Sequence, residues 1–314
     1  MRIAIVILNW NGEELLESFL PSVTQYSSEA EIYVADNAST DGSINFLKTN
    51  YPSLKIIQNS SNGGFTKGYN DALKHIEADV FCLLNSDVEV TQNWLEPIRK
   101  AFQELPDVSI IQPKILDLKR KDHFEYAGAA GGYIDSLGYP FCRGRIFQAL
   151  EKDEGQYDDT REIFWATGAC MFIKREVFNQ LGGFDEDYFA HQEEVDLCWR
   201  AKNHGHKVYY VGYSKVYHLG GSSLSNMNPQ KTYLNFRNSL FNLFKNLKKR
   251  NLWYIFPIRL VLDFVAAFHS ILKVGNFQTF RSIFYAHISF YKALPSLMRK
   301  RYRIKKKGYP KSVV

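Results

Sequence analysis

The sequence predicts an α/β fold, with a mostly parallel central sheet and helices on both of its faces. Short apolar segments rich in β-branched residues alternate with segments of helical periodicity through residues 2–85. The connections are short, and polar clusters follow the ends of the apolar segments. Strands that are covered on both faces appear as continuous apolar runs, and parallel neighbours need a crossover between them. The alternation therefore favours a parallel sheet packed by helices.

The first part of the chain alternates between strand and helix. The opening strand ends at a polar turn, 9–12, and the second strand stops at Asp36. The third helix begins in a glycine-rich segment, 62–70. In order, the predicted elements are strand 2–8, helix 13–25, strand 31–36, helix 42–50, strand 54–59, a helix from the glycine-rich segment to His75, and strand 79–85.

The pattern is less regular in the next part of the chain. We predict a helix at 91–104 capped by Thr91, and an irregular loop or hairpin in the glycine- and tyrosine-rich stretch 126–150. The apolar run at 162–175 is predicted to be one strand. The other predicted elements are strand 108–116, a short helix at 175–181, helix 192–204 and strand 207–212.

The charges divide the chain into two chemically different parts. Residues 230–314 hold 18 Lys or Arg and one acidic residue, Asp263, whereas residues 1–229 hold 21 basic and 32 acidic groups. We therefore predict an α/β domain at 1–229 and a basic, aromatic-rich helical segment at 230–314.

The basic segment suits the surface of an anionic membrane. Residues 252–272 are apolar, but Arg259 and Asp263 argue against a helix that spans the bilayer. Seven of the nine residues at 299–307 are basic. A homodimer contact is the alternative, and nucleic-acid binding is not predicted because no recognised motif is present.

Cysteine usage and the N-terminus bear on location. The four cysteines are dispersed without metal-type spacing, so buried free thiols are expected. The apolar start at 2–8 has neither a basic region before it nor a cleavage site after it. The predicted location is the cytoplasm, with peripheral attachment to the inner face of the cell membrane.

Acidic residues follow two strands of the predicted sheet. Asp36 suits hydrogen bonds from a base imide and from ribose hydroxyls, although such residues also close ordinary turns. Asp87 and Glu89 follow another strand, where they suit a Mg²⁺ or Mn²⁺ ion that neutralises a diphosphate; a solvated strand end is the alternative. His218, beyond the last strand, would complete a metal site or contact phosphate. Ligands of such sheets bind at these carboxyl ends.

A third acidic cluster opens the predicted helix at 192–204. Glu193, Glu194 and Asp196 follow an aromatic stretch that suits stacking on sugar rings. One of these carboxylates would act as general base toward an acceptor hydroxyl. The helix dipole also favours carboxylates in a first turn, and Asp196 is spaced for a salt bridge with Arg200.

Together these segments resemble the family 2 glycosyltransferases, a GT-A group that includes bacterial polysaccharide and rhamnosyl transferases. The resemblance extends over roughly residues 1–240. The segments that carry it, in the order of the family, are ILNWNG, VADNASTDGS, NSSNGGFTKGYNDAL, LLNSDVEV, TGACMFIKREVFNQLGGFDEDYFAHQEEVDLCWRAKNHG and VYHLGGSS. The resemblance implies a Rossmann-like GT-A fold, a nucleotide-sugar donor and a divalent cation, Mn²⁺ or Mg²⁺.

The resemblance also implies roles for single residues. Asp36 matches the nucleoside-binding aspartate of the family. Asp87 matches the last acid of its D-x-D metal element, whose first position here is Asn85, so metal ligation would rest on Asp87 with Glu89 or His218.

Glu194 matches the second acid of the family's Glu-Asp pair, the usual catalytic base. The pair is Glu-Glu here, so Glu193 and Asp196 remain alternatives. The residues assigned to the donor pocket are Asn9, Asp36, Asn37, Asp41, Gly63, Gly64, Lys67, Asn70 and Asn85.

The expected activity is inverting transfer of a sugar from a UDP- or dTDP-sugar. The acceptor would be a hydroxyl of a glycan or a lipid-linked saccharide in the synthesis of a cell-surface polysaccharide. A sugar-1-phosphate nucleotidyltransferase is one alternative, but residues 9–12 lack the glycine-rich pyrophosphorylase loop. A non-catalytic nucleotide- or glycan-binding module is another, because of Asn85 and the Glu-Glu pair.

Overall fold

The computed structural model describes residues 1–147, 149–220, 228–274 and 276–306, without the side chains of 273, 274, 305 and 306. Residues 221–223 of the VYHLGGSS motif and residue 307 of the basic run lie outside the described residues. Within the described ranges the chain forms thirteen strands and nine α-helices.

The secondary structure follows the predicted alternation. The strands are β1 (Ile3–Asn9), β2 (Glu31–Asp36), β3 (Lys55–Gln58), β4 (Val80–Asn85), β5 (Val88–Val90), β6 (Val108–Asp117), β7 (Gly132–Ile134), β8 (Pro140–Cys142), β9 (Arg145–Ile146), β10 (Ala149–Leu150), β11 (Thr160–Ile163), β12 (Cys170–Lys174) and β13 (Lys207–His218). The helices are α1 (Glu13–Tyr26), α2 (Ser43–Asn50), α3 (Gly64–Leu73), α4 (Leu95–Glu104), α5 (Arg175–Leu181), α6 (Glu193–Asn203), α7 (Pro229–Asn246), α8 (Lys249–Val274) and α9 (Phe277–Lys306).

Nine strands form the central sheet, in the order β11-β13-β6-β12-β4-β1-β2-β3, with β5 paired to β13. Strands β3, β2, β1 and β4 are parallel neighbours, and β13 runs parallel to β6. Strand β12 lies antiparallel between β4 and β6. The remaining strands pair as two short ribbons, β7 with β8 and β9 with β10. The carboxyl ends of β1, β2 and β4 therefore lie at one edge of the sheet.

Helices cover both faces of the sheet, which confirms the predicted fold class. One buried cluster joins the sheet to α3, α5 and α6. The other joins it to α1, α2 and α4. The four cysteines are buried free thiols, as expected. The alternating pattern succeeds because each helix buries one apolar stripe on a sheet whose inner strands are apolar throughout.

Two predicted elements are wrong in detail. The run at 162–175 is two strands: β11 pairs with β13 at the sheet edge, and β12 lies in the centre. Of β11 only Ile163 is buried, but Trp165 and Ala166 in the crossing are buried as well, so the apolar pattern continues from one strand to the other. Thr91 does not cap α4, which begins at Leu95; its hydroxyl donates to the Lys215 carbonyl at 2.8 Å.

The C-terminal segment is helical and begins with α7 at Pro229, beside the predicted boundary. Its aromatic residues Phe241 and Phe290 pack around Tyr188, which precedes α6. In the described chain one helical stretch, Lys249–Leu272, is long and apolar enough to cross a membrane, with mean hydropathy 1.8.

The two charges in the middle of α8 do not face outward. Arg259 and Asp263 are almost fully buried, and their side chains lie 3.8 Å apart. Arg259 donates to the Leu137 carbonyl and to Ser239, and Asp263 lies 3.2 Å from His287 of α9. These two charges therefore give no reason to exclude contact between the outer face of α8 and lipid.

Candidate active site

Polar residues from three neighbouring strands meet at the carboxyl edge of the sheet. In the strand register Asn9 lies opposite Asp36, and Asn85 lies opposite Leu8. Parallel strands bring these ends together, although they are far apart in sequence. The predicted donor residues Asn9, Asp36 and Asn85 are thus gathered in one place.

Asp36 is buried, and its carboxylate is held by neighbours. It accepts hydrogen bonds from Asn9 Nδ2 at 3.2 Å and from the Ser39 amide at 3.0 Å. The Oδ1 atom of Asn9 is buried without a partner among the described residues. A Cβ at Gly12 would lie 2.5 Å from that oxygen, so this turn requires glycine. Asn9 therefore orients Asp36 and keeps one buried amide oxygen that no described residue satisfies.

Three further predicted donor residues hold the surrounding loops together. Asn37 Nδ2 donates to Asn62 at 2.9 Å and to the Gly64 carbonyl at 3.0 Å. The Gly64 amide donates to the same Asn62 oxygen at 2.9 Å. Asp41 accepts from the backbone amides of Glu13 and Ser43, both at 3.1 Å. In this conformation these groups shape the walls of the site rather than face into it.

The remaining predicted donor residues are also engaged with the protein. Lys67 Nζ pairs with Asp71 at 2.5 Å on the exposed side of α3. Asn70 donates to the Phe184 carbonyl and accepts from the Phe184 amide, both at 2.9 Å. A Cβ at Gly63 would lie 2.6 Å from the side chain of Lys67. Asn70 thus ties α3 to the loop before α6, and a donor contact for Lys67 or Asn70 stays a prediction.

The predicted metal residues Asp87 and His218 lie side by side. His218 Nε2 is 3.2 Å from Asp87 Oδ1, and its Nδ1 is 3.5 Å from Glu125 Oε1. All three side chains are buried. Burial opposes the charge on His218, but the Asp87 and Glu125 carboxylates outweigh it and raise the pKa of the imidazole to about 10. While it carries both ring protons, His218 is a cation that compensates two buried carboxylates; binding of a metal ion through Nε2 would release one of these protons.

The side chains at Asp87 fit a divalent cation. A carboxylate oxygen and an imidazole nitrogen 3.2 Å apart can both bind one ion, and Mn²⁺ accepts both ligand types. Glu89 does not join them: its carboxylate pairs with Lys121 at 2.6 Å. Among the described residues no group of three His, Cys, Asp or Glu is arranged as a complete metal site. Asp87 and His218 would therefore share the ion with diphosphate oxygens of a nucleotide sugar or with water.

The Glu-Glu pair at the start of α6 is held in a low-dielectric environment. Burial raises the pKa of Glu194 to about 7. Burial and the Glu194 charge raise the pKa of Glu193 well above its ordinary value. The Oε2 atoms of both residues are buried without a hydrogen-bond partner among the described residues. Two adjacent carboxyls of this kind share the properties of a catalytic acid–base site.

Asp196 has a structural role. It is fully buried, and its carboxylate lies 2.7 Å from Arg200 and 2.9 Å from Lys245 of α7. It also accepts a hydrogen bond from Asn246 at 2.8 Å. Burial works against ionisation, but the Lys245 and Arg200 charges lower the pKa of Asp196 below its ordinary value. A carboxylate paired with two cations is a poor base, which leaves Glu194 and Glu193 as the candidates.

The loop before Glu193 connects the base to the rest of the edge. The Phe189 carbonyl accepts from the Phe65 amide in the first turn of α3 at 2.9 Å. Burial, and after it the Lys231 charge, lower the pKa of His191 to about 4. Lys231 in turn interacts electrostatically with Glu125. The start of α7 therefore lies between the base loop and the Asp87–His218–Glu125 cluster.

Sequence reasoning missed Glu125 and the contribution of α7. Glu125 is a single acid in an irregular stretch, and no local pattern marks it. A signal for α7 was present: Asn238, Asn242 and Asn246 recur every four residues, which places them on one helix face.

Comparisons with known proteins identify the sequence family and the fold of this chain. The sequence profile described as Glycosyl transferase family 2 matches residues 4–182. The chain is 26% identical over 233 residues to the N-acetylglucosaminyl-diphospho-decaprenol L-rhamnosyltransferase of Mycobacterium tuberculosis, an alignment that covers 68% of this chain and 75% of that protein.

Two solved structures share the fold. S. aureus TarS 1-349 in complex with UDP-GlcNAc has a TM-score of 0.60 at 17% identity, covering 98% of this chain and 88% of that one. The mannosyltransferase PcManGT from Pyrobaculum calidifontis, in complex with GDP-Man and Mn²⁺, has a TM-score of 0.55 at 13% identity, covering 98% and 85%. This likeness confirms the predicted GT-A fold. Since the family profile spans more than half of the chain, the protein belongs to glycosyl transferase family 2 and is a glycosyltransferase.

Proposed function

We propose that the protein is an inverting glycosyltransferase that moves a sugar from a UDP- or dTDP-sugar to a hydroxyl of a glycan or lipid-linked saccharide during cell-surface polysaccharide synthesis. The observation that carries the proposal is Glu194, whose pKa is raised to about 7 and whose Oε2 has no partner in the described chain. A general base works best when its pKa lies near the working pH. The name of the Mycobacterium relative, which specifies a lipid-linked saccharide, supports this class of acceptor.

The proposed reaction is a single displacement. Glu194 accepts the proton of the acceptor hydroxyl while the hydroxyl oxygen attacks the anomeric carbon of the donor sugar. The bond from that carbon to the diphosphate oxygen breaks on the opposite side, so the anomeric configuration inverts. Glu193, whose pKa is raised further, stays protonated and therefore leaves Glu194 as the ionised member of the pair.

The other residues would bind and orient the donor. Asp36 would accept hydrogen bonds from the nucleoside, beside the free Asn9 oxygen. Asp87 and His218 would hold a divalent cation, Mn²⁺ or Mg²⁺, which when bound supplies positive charge against the leaving diphosphate. The Mn²⁺ in the PcManGT complex supports this cation dependence.

We also propose that the outer face of α8 contacts the inner surface of an anionic cell membrane. Its exposed residues from Trp253 to Leu272 are mostly apolar, whereas Arg259 and Asp263 face inward. A helix with one apolar outward side and basic neighbours suits the interfacial region of a bilayer. We call this surface the apolar α8 face; it comprises Trp253, Val261, Phe264, Val265, Phe268 and Leu272.

Calorimetric titration with UDP and dTDP, with and without Mn²⁺, tests the donor side of the proposal. We expect Mn²⁺ to strengthen binding of one nucleotide and Asp87→Ala to remove that dependence. Glu89→Ala is the matched control, because Glu89 lies two residues away and pairs with Lys121 instead. Absence of binding to both nucleotides, with or without metal, contradicts the proposed donor class.

The base is tested separately. In an assay of donor turnover with saccharide acceptors, Glu194→Gln is expected to bind the nucleotide normally and to lose transfer. Product anomeric configuration, read by NMR, distinguishes inversion from retention. A retained configuration would overturn the single-displacement mechanism.

A further inference from the structure

The loop before the Glu-Glu pair has an unusual backbone. Phe189, His191 and Gln192 have φ values of 63°, 66° and 71°, a region that non-glycine residues rarely adopt. Phe189 has ψ −60°, and the Ala190 amide donates to the Tyr188 carbonyl at 2.7 Å. This is a γ-turn of the rare, strained type with positive φ. Such backbone persists only where the surroundings enforce it.

One side chain of α7 supplies much of that enforcement. Asn238 is fully buried, and its Nδ2 donates to the carbonyls of Tyr188, Ala190 and His191 at 3.2, 2.9 and 2.6 Å. Its Oδ1 accepts from Arg237 Nε at 2.8 Å, which fixes the orientation of the amide. The two N–H hydrogens of this amide are thus shared among three carbonyls of the irregular segment 188–191.

The next asparagine along the helix extends the contact to the residue before the pair. Asn242 Nδ2 donates to the Gln192 carbonyl at 3.2 Å, and its Oδ1 accepts from the Tyr188 hydroxyl at 2.7 Å. On the opposite side the loop is held by the Phe65 amide, which donates to Phe189. The loop is therefore fixed between α3 and α7.

We propose that Asn238 is a positioning residue for the catalytic base. By holding the carbonyls of the strained loop, it sets where α6 begins and keeps the Glu194 carboxylate buried at the carboxyl edge of the sheet. The basic C-terminal segment thus supplies part of the support of the active site. This inference rests on the proposed function, since it takes Glu194 as the base.

Asn238→Ala tests the inference, with Asn235→Ala as the matched control. Asn235 lies on the same helix, and in the described chain it makes no hydrogen bond to residues 188–192. We expect Asn238→Ala to lower kcat on the order of 100-fold, because small misplacements of a reacting group have effects of this size. The donor KM and the UDP affinity should change less than about twofold, because Asp36 and Asp87 lie on other elements; a factor of two is below about 0.5 kcal/mol.

The pH profile separates positioning from general destabilisation. Without the Asn238 bonds the loop can move and water can reach Glu194, which lowers the pKa of its carboxyl. The acid limb of kcat should therefore move to lower pH in Asn238→Ala and stay in place in Asn235→Ala. The stoichiometry of UDP binding gives the fraction of folded protein, and kcat is divided by this fraction. If Asn238→Ala binds no UDP, the smaller change Asn238→Ser gives the same readout, since a hydroxyl donates one hydrogen bond where the amide donates two.

The outcomes distinguish this inference from the proposed function. An unchanged corrected kcat and an unchanged acid limb in folded Asn238→Ala, or in Asn238→Ser where the first variant does not fold, overturn the positioning role. If Glu194→Gln retains transfer, the base assignment itself fails. If Glu194→Gln is inactive while Asn238→Ala behaves as wild type, only the positioning role fails.

Discussion

The imidazole of His218 lies between two buried carboxylates, with its Nε2 3.2 Å from Asp87 and its Nδ1 3.5 Å from Glu125. One ring nitrogen thus faces the residue proposed to bind the cation, and the other faces an acid that fixes the ring. Carboxylate–histidine pairs of this kind orient metal-binding imidazoles in proteins. The ion pair between His218 and Asp87 also explains how the Asp87 carboxylate is tolerated in a buried position.

His218→Ala is predicted to weaken Mn²⁺-dependent UDP binding about 10- to 100-fold, a range typical of changes around metal sites. Glu125→Gln should have a smaller effect in the same direction, because it loosens the ring without removing it. Calorimetry with and without Mn²⁺ measures both. Equal UDP affinity in wild type and His218→Ala at every Mn²⁺ concentration of a titration, including concentrations below saturation, would place the cation elsewhere.

Transfer by the wild type is predicted to fall as the pH drops through about 7, where Glu194 gains its proton. The sign follows from the role: only the ionised carboxylate accepts the acceptor proton. Glu194→Gln should lower kcat by about 10²- to 10⁴-fold, the usual contribution of a general base, and remove the acid limb. A wild-type profile that is flat between pH 5 and 8 contradicts the assignment.

Ionised Glu194 is predicted to lower the stability of the folded protein. Its folded pKa is raised, so the folded protein binds its proton more tightly than the unfolded chain, and stability from this group is lost as pH rises toward about 7. Glu194→Gln should therefore stabilise the protein at pH 8, on the order of 1–2 kcal/mol given partial exposure of the side chain. At pH 4.5 the gain should vanish. Denaturant melts of both proteins at the two pH values measure it.

Asp196, in contrast, is predicted to stabilise the folded protein. Asp196→Ala leaves Arg200 buried without its carboxylate and leaves Lys245 with Asp185 alone, and loss of one partner of a buried ion pair costs about 3–5 kcal/mol. Lys67→Ala is the control, since its exposed pair with Asp71 contributes below about 1 kcal/mol. Because the pKa of Asp196 is lowered, its stabilisation is present at neutral pH and lost in acid. Urea unfolding would contradict this role if both variants had the same midpoint.

The sequence was sufficient for the parallel strands β1–β4 and for the edge where the motifs gather. The apolar runs of β1, β2 and β4 are long enough to recognise, and parallel pairing then brings Asn9, Asp36 and Asn85 together. The split between β11 and β12 was not predictable by periodicity, because the connection between them, which includes Trp165 and Ala166, is also apolar and buried.

Side-chain roles were harder to predict than positions. Asp41 and Asn70 are polar residues at turns, and such residues bond to backbone as readily as to ligands. Glu125 reaches His218 only through the folding of a long irregular segment. Asn238 is on a basic helix whose polar residues would ordinarily be solvated, and its three bonds to the base loop depend on tertiary packing.

The apolar α8 face is predicted to drive membrane attachment. Phe264→Glu and Phe268→Glu together should lower binding to vesicles that contain anionic lipid by about tenfold or more, since burying one phenyl ring contributes about 1.5–3 kcal/mol. Phe147→Glu is the control, because Phe147 is exposed on the sheet domain. Vesicle sedimentation at low and high salt separates the apolar from the basic contribution, which salt screens. Analytical ultracentrifugation of the same proteins tests the alternative: a wild-type dimer that dissociates in the double variant, with unchanged vesicle binding, would assign this face to a second copy of the chain.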